Sequence, residues 1–181
     1  PFYTPVLDLA SFTASGEKME GRAAADAVCS ACDGKDSTVR EIKRQDKNIA
    51  PPKLYDLTTL QRETNRLFGY TAQQTLDYTQ NLYEKKLCTY PRTDSRFLTE
   101  DMAPGLPALV SAVAGKLAFL PAELPLPVNA GQVINNGKVS DHHAIIPTPT
   151  MAKTNLDGLP AGERNILHLL AVRLLCAVGE K

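Results

Sequence analysis

The stretch Leu87–Ser95, which reads LCTYPRTDS, is the most informative part of this 181-residue chain. Helical patterns occupy the sequence before it, and a proline directly follows its only tyrosine. Pro91 biases the preceding residue away from helical backbone angles. The sequence therefore predicts an extended segment or a turn around Tyr90.

The side chains from Tyr90 onward fall into two sets if this segment is extended, because alternate residues of an extended chain share a face. Tyr90, Arg92 and Asp94 are then expected to point one way. Thr93 and Ser95 are expected on the opposite side. One face would thus present a phenol, a guanidinium and a carboxylate.

These three groups suit an attack on a phosphodiester. A free tyrosine has a pKa near 10, so about one molecule in a thousand is ionised at pH 7, and forming the phenolate costs roughly 4 kcal/mol. A guanidinium beside the phenol lowers that cost and holds an anionic phosphate through paired hydrogen bonds. Arg92 is our candidate for both tasks.

The role of Asp94 is open from the sequence. Its carboxylate is suited to orienting Arg92, to accepting a proton or to lying near a metal ion, and the spacing does not choose among these. The same string is also compatible with a polar surface turn in which Arg92 pairs with Asp94.

Thr89–Ser95 resembles the active-site signature of type IA DNA topoisomerases, in which tyrosine and arginine stand two residues apart in a T-Y-x-R-[ST]-D-[SC] pattern. Asp141–Thr148, which reads DHHAIIPT, is similar to the family's H-x-A-I-x-P-T motif. Thr58–Glu63 and Phe68–Thr75 resemble the helix pair that precedes the nucleophile. The matches occur in family order. The proline after the tyrosine and the paired histidines resemble the topoisomerase III branch.

The resemblance implies a role for each matched residue. Tyr90 would attack the phosphodiester and form a 5′-phosphotyrosyl link with a free 3′-hydroxyl. Arg92 would position the phosphate and stabilise the pentacovalent transition state. His142, the leading histidine of its motif, would bind that phosphate or protonate near it. The supporting residues that the resemblance implies are Thr93, Asp94, Ser95 and Gln61.

His143 is grouped with His142 as a DNA-phosphate-binding residue. It stands where many topoisomerase I relatives have an acidic residue, so its role does not follow from the motif. In an extended segment the two histidines face opposite ways, and we do not expect both on one phosphate.

The predicted fold class is α+β, type IA topoisomerase-like, with a mainly helical catalytic domain flanked by β-containing segments of a hinge domain. Ala50–Lys53, a stiff stretch with two prolines, is our candidate boundary. We expect residues 1–53 in the β-rich hinge domain, 54–150 in the helical domain with the tyrosine, and 151–181 in a return segment with a helix. In the family, the helical domain swings away while bonded to the cut DNA, and the other strand passes through the gap.

The first fifty residues mix strand and helix patterns. Phe2–Phe12 predicts a strand, with Pro5 favouring an edge position or a bulge. Gly21–Cys32 is rich in alanine and predicts a short helix that ends at Asp33-Gly34. Thr38–Arg44 alternates imperfectly and predicts an exposed strand.

Two helices are expected before the tyrosine, each with a capping box. Thr58–Gln61 begins the first, which should end at Gly69, and Thr71–Gln74 begins the second. We expect the aromatic residues of the second helix in the core rather than on a stacking surface. Its apolar residues at helical spacing are Leu76, Tyr78, Leu82, Tyr83 and Leu87.

Two further helices are expected after the tyrosine. Thr99 is suited to capping a helix that runs to Leu117, although its prolines fit only the first turn. Phe119–Gly137 predicts a loop. Ala161–Val178 is strongly apolar and predicts a helix, with Gly179 placed to end it.

Charge and composition bear on the partner. The chain has 20 Lys and Arg against 20 Asp and Glu, whereas a self-sufficient DNA-binding domain usually carries a basic excess. If DNA is bound, other parts of a longer protein should supply much of the attraction. The chain begins at Pro1 and stops just beyond an apolar helical run, so we expect an excised piece.

The resemblance also implies a cofactor and partners. Family members hold Mg²⁺ in an acidic cluster on a separate TOPRIM domain, whose carboxylate pattern is not found in this sequence. We therefore expect no metal site in this fragment and no DNA relaxation by it alone. The expected partners are DNA, single-stranded or negatively supercoiled, and the remaining domains of the parent polypeptide. With no membrane span, signal peptide or disulfide pattern, we expect a cytoplasmic setting.

Three alternatives compete with the topoisomerase interpretation. A zinc site from Cys29, Cys32, His142 and His143 has suitable CxxC spacing, but adjacent histidines are poor joint ligands, and we expect the cysteines to be buried structural thiols. A non-catalytic DNA-binding or partner-binding module could retain the fold. A tyrosine recombinase also uses a tyrosine nucleophile, but it attaches to the 3′-phosphate and uses a dispersed set of arginine and histidine residues.

Overall fold

The computed structural model describes residues 1–9, 11–121 and 127–179, and the chain divides into two compact units, residues 1–46 and residues 47–181. The first unit holds a small hairpin and the second is mainly helical, in agreement with the predicted α+β class. Among the helices described, none combines the length and the apolar character that a membrane crossing requires. The domain limits drawn from the resemblance stay a prediction.

The first unit contains a β-hairpin. Its strand β1 (Val6–Leu9) pairs antiparallel with β2 (Phe12–Ser15), so that Val6 lies opposite Ser15. The single strand predicted over Phe2–Phe12 is therefore wrong. The chain reverses after β1, and the two short strands satisfy each other's backbone groups locally.

Helix α1 (Arg22–Cys32) follows the hairpin and confirms the predicted alanine-rich helix. The strand predicted at Thr38–Arg44 does not form, because no described strand lies beside it to pair its backbone groups. Cys29 and Cys32 are exposed, so the expectation of buried thiols is wrong. Only the face of α1 that contains Ala25 is buried.

In the second unit, α2 (Leu57–Phe68) begins before its predicted capping box. Asp56 is the N-cap, and its carboxylate accepts a hydrogen bond from Thr59 N at 2.6 Å. The predicted start at Thr58 is therefore wrong, because Asp56 supplies a stronger acceptor earlier in the chain. The helix ends as predicted at Gly69, whose φ of 71° is in the left-handed region that glycine adopts readily.

Helix α3 (Ala72–Glu84) begins with its predicted capping box. Gln74 N donates to Thr71 Oγ1 at 3.1 Å, and Thr71 N donates to Gln74 Oε1 at 2.9 Å. The short connection of three residues, Gly69–Thr71, sets α2 and α3 side by side.

The buried face of α3 is partly polar. Thr64 of α2 and Thr75 of α3 share a hydrogen bond of 2.7 Å between their hydroxyls, and both are fully buried. Tyr78 packs half-buried against the core, as predicted. Tyr83 is 40% exposed, so its predicted place in the core is wrong. Tyr83 lies in the last turn of α3, where its ring packs edge-on against the Tyr90 ring instead of entering the core.

A 3₁₀ helix at Glu100–Gly105 leads into α4 (Leu106–Ala114). The helix predicted from Thr99 to Leu117 is therefore shorter, and Leu117 is buried beyond its end. Two prolines in this stretch remove backbone donors and favour the tighter first turn. Thr99 makes no side-chain capping bond.

The predicted loop Phe119–Gly137 contains short 3₁₀ turns at Ala130–Gln132 and Asn136–Lys138, and its residues 122–126 lie outside the described ranges. Further 3₁₀ turns occupy Pro149–Lys153 and Leu156–Gly158.

Helix α5 (Ala161–Val178) has the predicted bounds and packs against α3 and α4. The start of α5 lies so close to α3 that a Cβ on Gly162 would be 2.5 Å from Tyr78 Cε2. Beside it, Glu163 is buried, pairs with Lys85 and accepts a hydrogen bond from Asn81 at 3.2 Å. The contact between α3 and α5 thus requires glycine at position 162.

Gly162→Ala should lower the free energy of unfolding of the chain by about 1–2 kcal/mol, because the added methyl must displace the Tyr78 ring. Gly158→Ala is the matched control, since a Cβ there would meet nothing within 4 Å. Urea unfolding followed by circular dichroism measures both. Equal stability of the two variants would contradict the close packing of α5 on Tyr78.

Candidate active site

The Tyr90 segment begins where α3 ends. Lys86 N donates to Tyr83 O and Leu87 N donates to Leu82 O, both at 2.8 Å, which is the double closure of a Schellman turn. Lys86 has a φ of 60° and takes the left-handed position of that turn. The chain therefore reverses at once and returns along α3, where Cys88 meets Thr79.

The returning segment pairs antiparallel with the second motif. Thr89 N donates to Ile146 O and Thr148 N donates to Leu87 O, both at 3.0 Å, and Cys88 forms a bridge with Pro147. Two sequence motifs more than fifty residues apart are thereby placed side by side.

The Thr89 hydroxyl reinforces this pairing. It donates to Ala144 O at 3.0 Å and accepts from Ile146 N at 3.0 Å. A single side chain thus satisfies a donor and an acceptor of the opposite segment, directly before Tyr90. Each group would be left without that partner if the hydroxyl were removed.

The Tyr90 ring lies between two other aromatic rings. Its centroid is 4.4 Å from the His142 ring centroid and 5.3 Å from the Tyr83 ring centroid, the latter edge-on at 76°. The two residues singled out from separate motifs are therefore in contact. The contact with Tyr83 was missed, because its spacing in α3 indicated the core.

The residues after Tyr90 alternate between buried and exposed as predicted. Thr93 and Ser95 are buried, whereas Arg92 and Asp94 are exposed. Within the described part of the chain, no ion pair joins Arg92 to Asp94, so the surface-pair alternative gains no support. Arg92 is therefore open to solvent two residues after Tyr90.

The buried hydroxyls hold the segment from beneath. Thr93 Oγ1 donates to His142 O at 2.8 Å, and Ser95 Oγ donates to Lys138 O at 2.8 Å. Thr93 Oγ1 also accepts from Ser95 N at 3.1 Å. The Thr93 hydroxyl therefore ties the backbone of the Tyr90 segment to that of His142.

His143 and Gln61 lie elsewhere. His143 Nδ1 lies 2.9 Å from the carbonyl oxygen of its neighbour Ala144. The nitrogen is the donor of this hydrogen bond, because a carbonyl oxygen only accepts. Gln61 Nε2 donates to Ala72 O at 3.0 Å and joins α2 to the start of α3. Among the described contacts, neither side chain touches Tyr90, and their predicted site roles stay predictions.

Cys88 is the buried neighbour of this site. Burial raises the pKa of its thiol to about 12, so the thiol is protonated at neutral pH. Its Sγ donates to Thr79 O at 3.5 Å. Cys88 therefore acts as a packing residue beneath the segment.

The described ranges contain no group of three or more His, Cys, Asp and Glu side chains that could hold a metal ion. The zinc alternative therefore gains no support. The described residues likewise offer no carboxylate cluster that fits a Mg²⁺ site, and we assign no chemical step to a metal ion held by them.

Comparison with known proteins places residues 8–181 within a family model described as DNA topoisomerase. The chain is 39% identical over 158 residues to DNA topoisomerase 3 of Bacillus cereus strain ATCC 10987, covering 84% of this chain and 21% of that protein. It is 42% identical over 150 residues to DNA topoisomerase 3 of Bacillus subtilis strain 168, covering 80% and 20%. The chain spans about a fifth of the length of these curated relatives.

A solved structure supports the fold. Full-length topoisomerase I from Thermotoga maritima matches with a TM-score of 0.66 and 23% identity, over 98% of this chain and 29% of that one. This likeness bears on the fold alone.

Thr89→Val should lower the free energy of unfolding by about 1–3 kcal/mol, because it leaves Ala144 O and Ile146 N without their partner in a buried setting. Thr99→Val is the control, since the Thr99 side chain makes no capping bond. Urea unfolding of both variants provides the measurement. A Thr89→Val chain as stable as the control would show that the hydroxyl does not hold the two segments together.

Proposed function

Since the chain belongs to the type IA DNA topoisomerase family and resembles its topoisomerase III branch, we propose that Tyr90 cuts one DNA strand by transesterification. The observation that supports this most strongly is the 4.4 Å contact between the Tyr90 and His142 rings. It brings the tyrosine of one motif and the histidine of the other to one place on the surface.

In the proposed step, the Tyr90 hydroxyl loses its proton as its oxygen bonds to phosphorus. The bond from phosphorus to the 3′ oxygen breaks, and that oxygen gains a proton and leaves as a free hydroxyl. The product is a 5′-phosphotyrosyl link. Religation is the reverse attack of the 3′-hydroxyl on the same phosphorus, so the bond energy is retained in the link and no nucleotide cofactor is needed.

Arg92 and His142 are the groups proposed to act on the phosphate. An exposed guanidinium two residues from the tyrosine is suited to a bidentate contact with phosphate oxygens, whose charge rises in the pentacovalent transition state. The His142 imidazole, beside the phenol, is suited to bind the same phosphate or to protonate near it. Thr93 acts through the backbone by holding His142 O at 2.8 Å.

The rest of the reaction is proposed to need other parts of a longer, cytoplasmic enzyme. Mg²⁺, held by a TOPRIM domain outside this chain, would help to position phosphates and the leaving hydroxyl. Strand passage would require movement of the helical part while the DNA end stays bonded to Tyr90. The substrate would be single-stranded or negatively supercoiled DNA.

The test uses the full-length protein and end-labelled single-stranded DNA, with denaturant added to trap covalent adducts. A 5′-phosphotyrosyl adduct should form and should fall below detection in Tyr90→Phe. Tyr78→Phe is the control, because it removes a hydroxyl from another half-buried tyrosine of the same unit.

The outcomes separate the alternatives. An adduct that persists in Tyr90→Phe would assign the chemistry to another residue. An adduct at the 3′-phosphate would indicate the recombinase class. No adduct in any of the proteins would favour a binding module without catalysis.

The isolated 181-residue chain should not relax supercoiled plasmid DNA, because its described residues offer no metal site and it spans about a fifth of its relatives. Gel electrophoresis of plasmid incubated with the chain and Mg²⁺ measures this, with the full-length protein as the positive control. Efficient relaxation by the chain alone would contradict the proposed division of the site.

A further inference from the structure

A pocket lined mainly by arginines lies in the second unit. Its volume is about 260 Å³. It is formed where α2, α5 and the segment after Tyr90 meet, and no residue of the proposed cleavage site lines it. We call it the arginine pocket, and its lining residues are Tyr55, Thr59, Arg62, Glu63, Arg66, Arg96 and Arg173.

The arginine pocket is strongly positive in a chain whose net charge is zero. Four arginines face one carboxylate, which leaves three positive charges. Glu63 pairs with Arg66 at 2.7 Å and lies 4.0 Å from Arg173. Among the described residues, Arg62 has no ion pair or hydrogen-bond partner. The pocket therefore has positive charge that the protein itself does not neutralise.

One wall of the pocket is formed by Tyr55, which is 2% exposed and is held by contacts with Arg173. An Arg173 guanidinium nitrogen donates to the Tyr55 hydroxyl at 2.7 Å, and the same guanidinium lies 4.2 Å from the centre of the Tyr55 ring. Burial raises the pKa of Tyr55, so the hydroxyl keeps its proton at neutral pH. That oxygen accepts from Arg173, and among the described hydrogen bonds its own proton has no acceptor.

A second arginine is also held in place. Arg96 Nε donates to Leu54 O at 3.3 Å. Guanidinium groups with fixed orientation and a neutral hydroxyl donor together match a tetrahedral oxyanion, because each phosphate oxygen accepts several hydrogen bonds. Phosphate is therefore the ligand chemistry that the lining recognises.

We propose that the arginine pocket binds a backbone phosphate of the DNA strand that Tyr90 cleaves, which rests on the proposed function. Arg96 lies six residues after Tyr90, so their Cα atoms are at most about 22 Å apart. The pocket is therefore close enough to the cleavage site for one bound strand to contact both. The pocket would hold the strand in register while Tyr90 acts.

The first test measures equilibrium binding of a single-stranded oligonucleotide to full-length Tyr90→Phe protein, so that no adduct accumulates. Adding Arg62→Gln should weaken binding about tenfold at low salt, as expected for one charged hydrogen bond. The slope of log affinity against log salt should become shallower by about 0.7. Arg164→Gln is the control, since it removes an exposed arginine of α5 that does not line the pocket.

Glu63→Gln is a second variant, and it should change the oligonucleotide affinity in the opposite direction. It removes the one carboxylate of the pocket and should tighten oligonucleotide binding. A variant that merely misfolds would weaken binding, so tightening cannot come from damage to the fold.

Oligonucleotides with a neutral methylphosphonate at successive positions locate the phosphate. One position near the cut should weaken binding to the Tyr90→Phe protein but cause no further loss in the protein that also carries Arg62→Gln. This coupling is the signature of a direct contact.

Three results would overturn the proposal. The first is equal oligonucleotide binding by Arg62→Gln and Arg164→Gln, and the second is the absence of any methylphosphonate position that couples to Arg62. The third is weaker binding of inorganic phosphate by Arg62→Gln with unchanged oligonucleotide affinity, which would indicate a site for a small anion. These binding readouts do not require cleavage, so they fail independently of the adduct test of Tyr90.

Discussion

The antiparallel pairing of the Tyr90 segment with the segment after His142 is the contact on which the site depends. Two backbone bonds, from Thr89 N to Ile146 O and from Thr148 N to Leu87 O, place residues separated by more than fifty positions in register. The two bonds of the Thr89 hydroxyl reinforce them. Because side chains alternate along paired strands, this register also decides which groups face outward. A slip by one residue would bury Arg92 and expose Thr93, so the chemistry depends on a few hydrogen bonds beneath the surface.

The distribution of charge explains how a chain with no net charge can still belong to a DNA enzyme. Acidic and basic residues are equal in number, yet the lining of one pocket has four arginines and one glutamate. Phosphate attraction acts locally, since charges in water are screened within about 10 Å at moderate salt. The arrangement of charges therefore matters more for DNA contact than their sum.

Much of the helical unit was predictable from the sequence, and the reason is local. The limits of α5 follow from its apolar run, and the capping box of α3 depends on residues three apart in sequence. The outward position of Arg92 and the inward position of Thr93 were predictable, because Pro91 favours an extended chain and side chains alternate along such a chain. The hairpin at β1 and β2, the position of Tyr83 and the convergence of Arg62 with Arg173 depend on tertiary packing, which local patterns do not contain. The start of α2 was misjudged because two residue types compete as caps there.

Peptide mapping of the trapped protein–DNA adduct tests the central claim most directly. Trypsin cuts after Lys86 and Arg92, so Tyr90 is the only tyrosine of the peptide 87–92, whereas Tyr83, which touches its ring, falls in the peptide 67–85. After nuclease digestion, mass spectrometry should find the nucleotide on the peptide with Tyr90. A nucleotide on the peptide 67–85 would contradict the account, because the nucleophile would then lie before the paired segment and not on it.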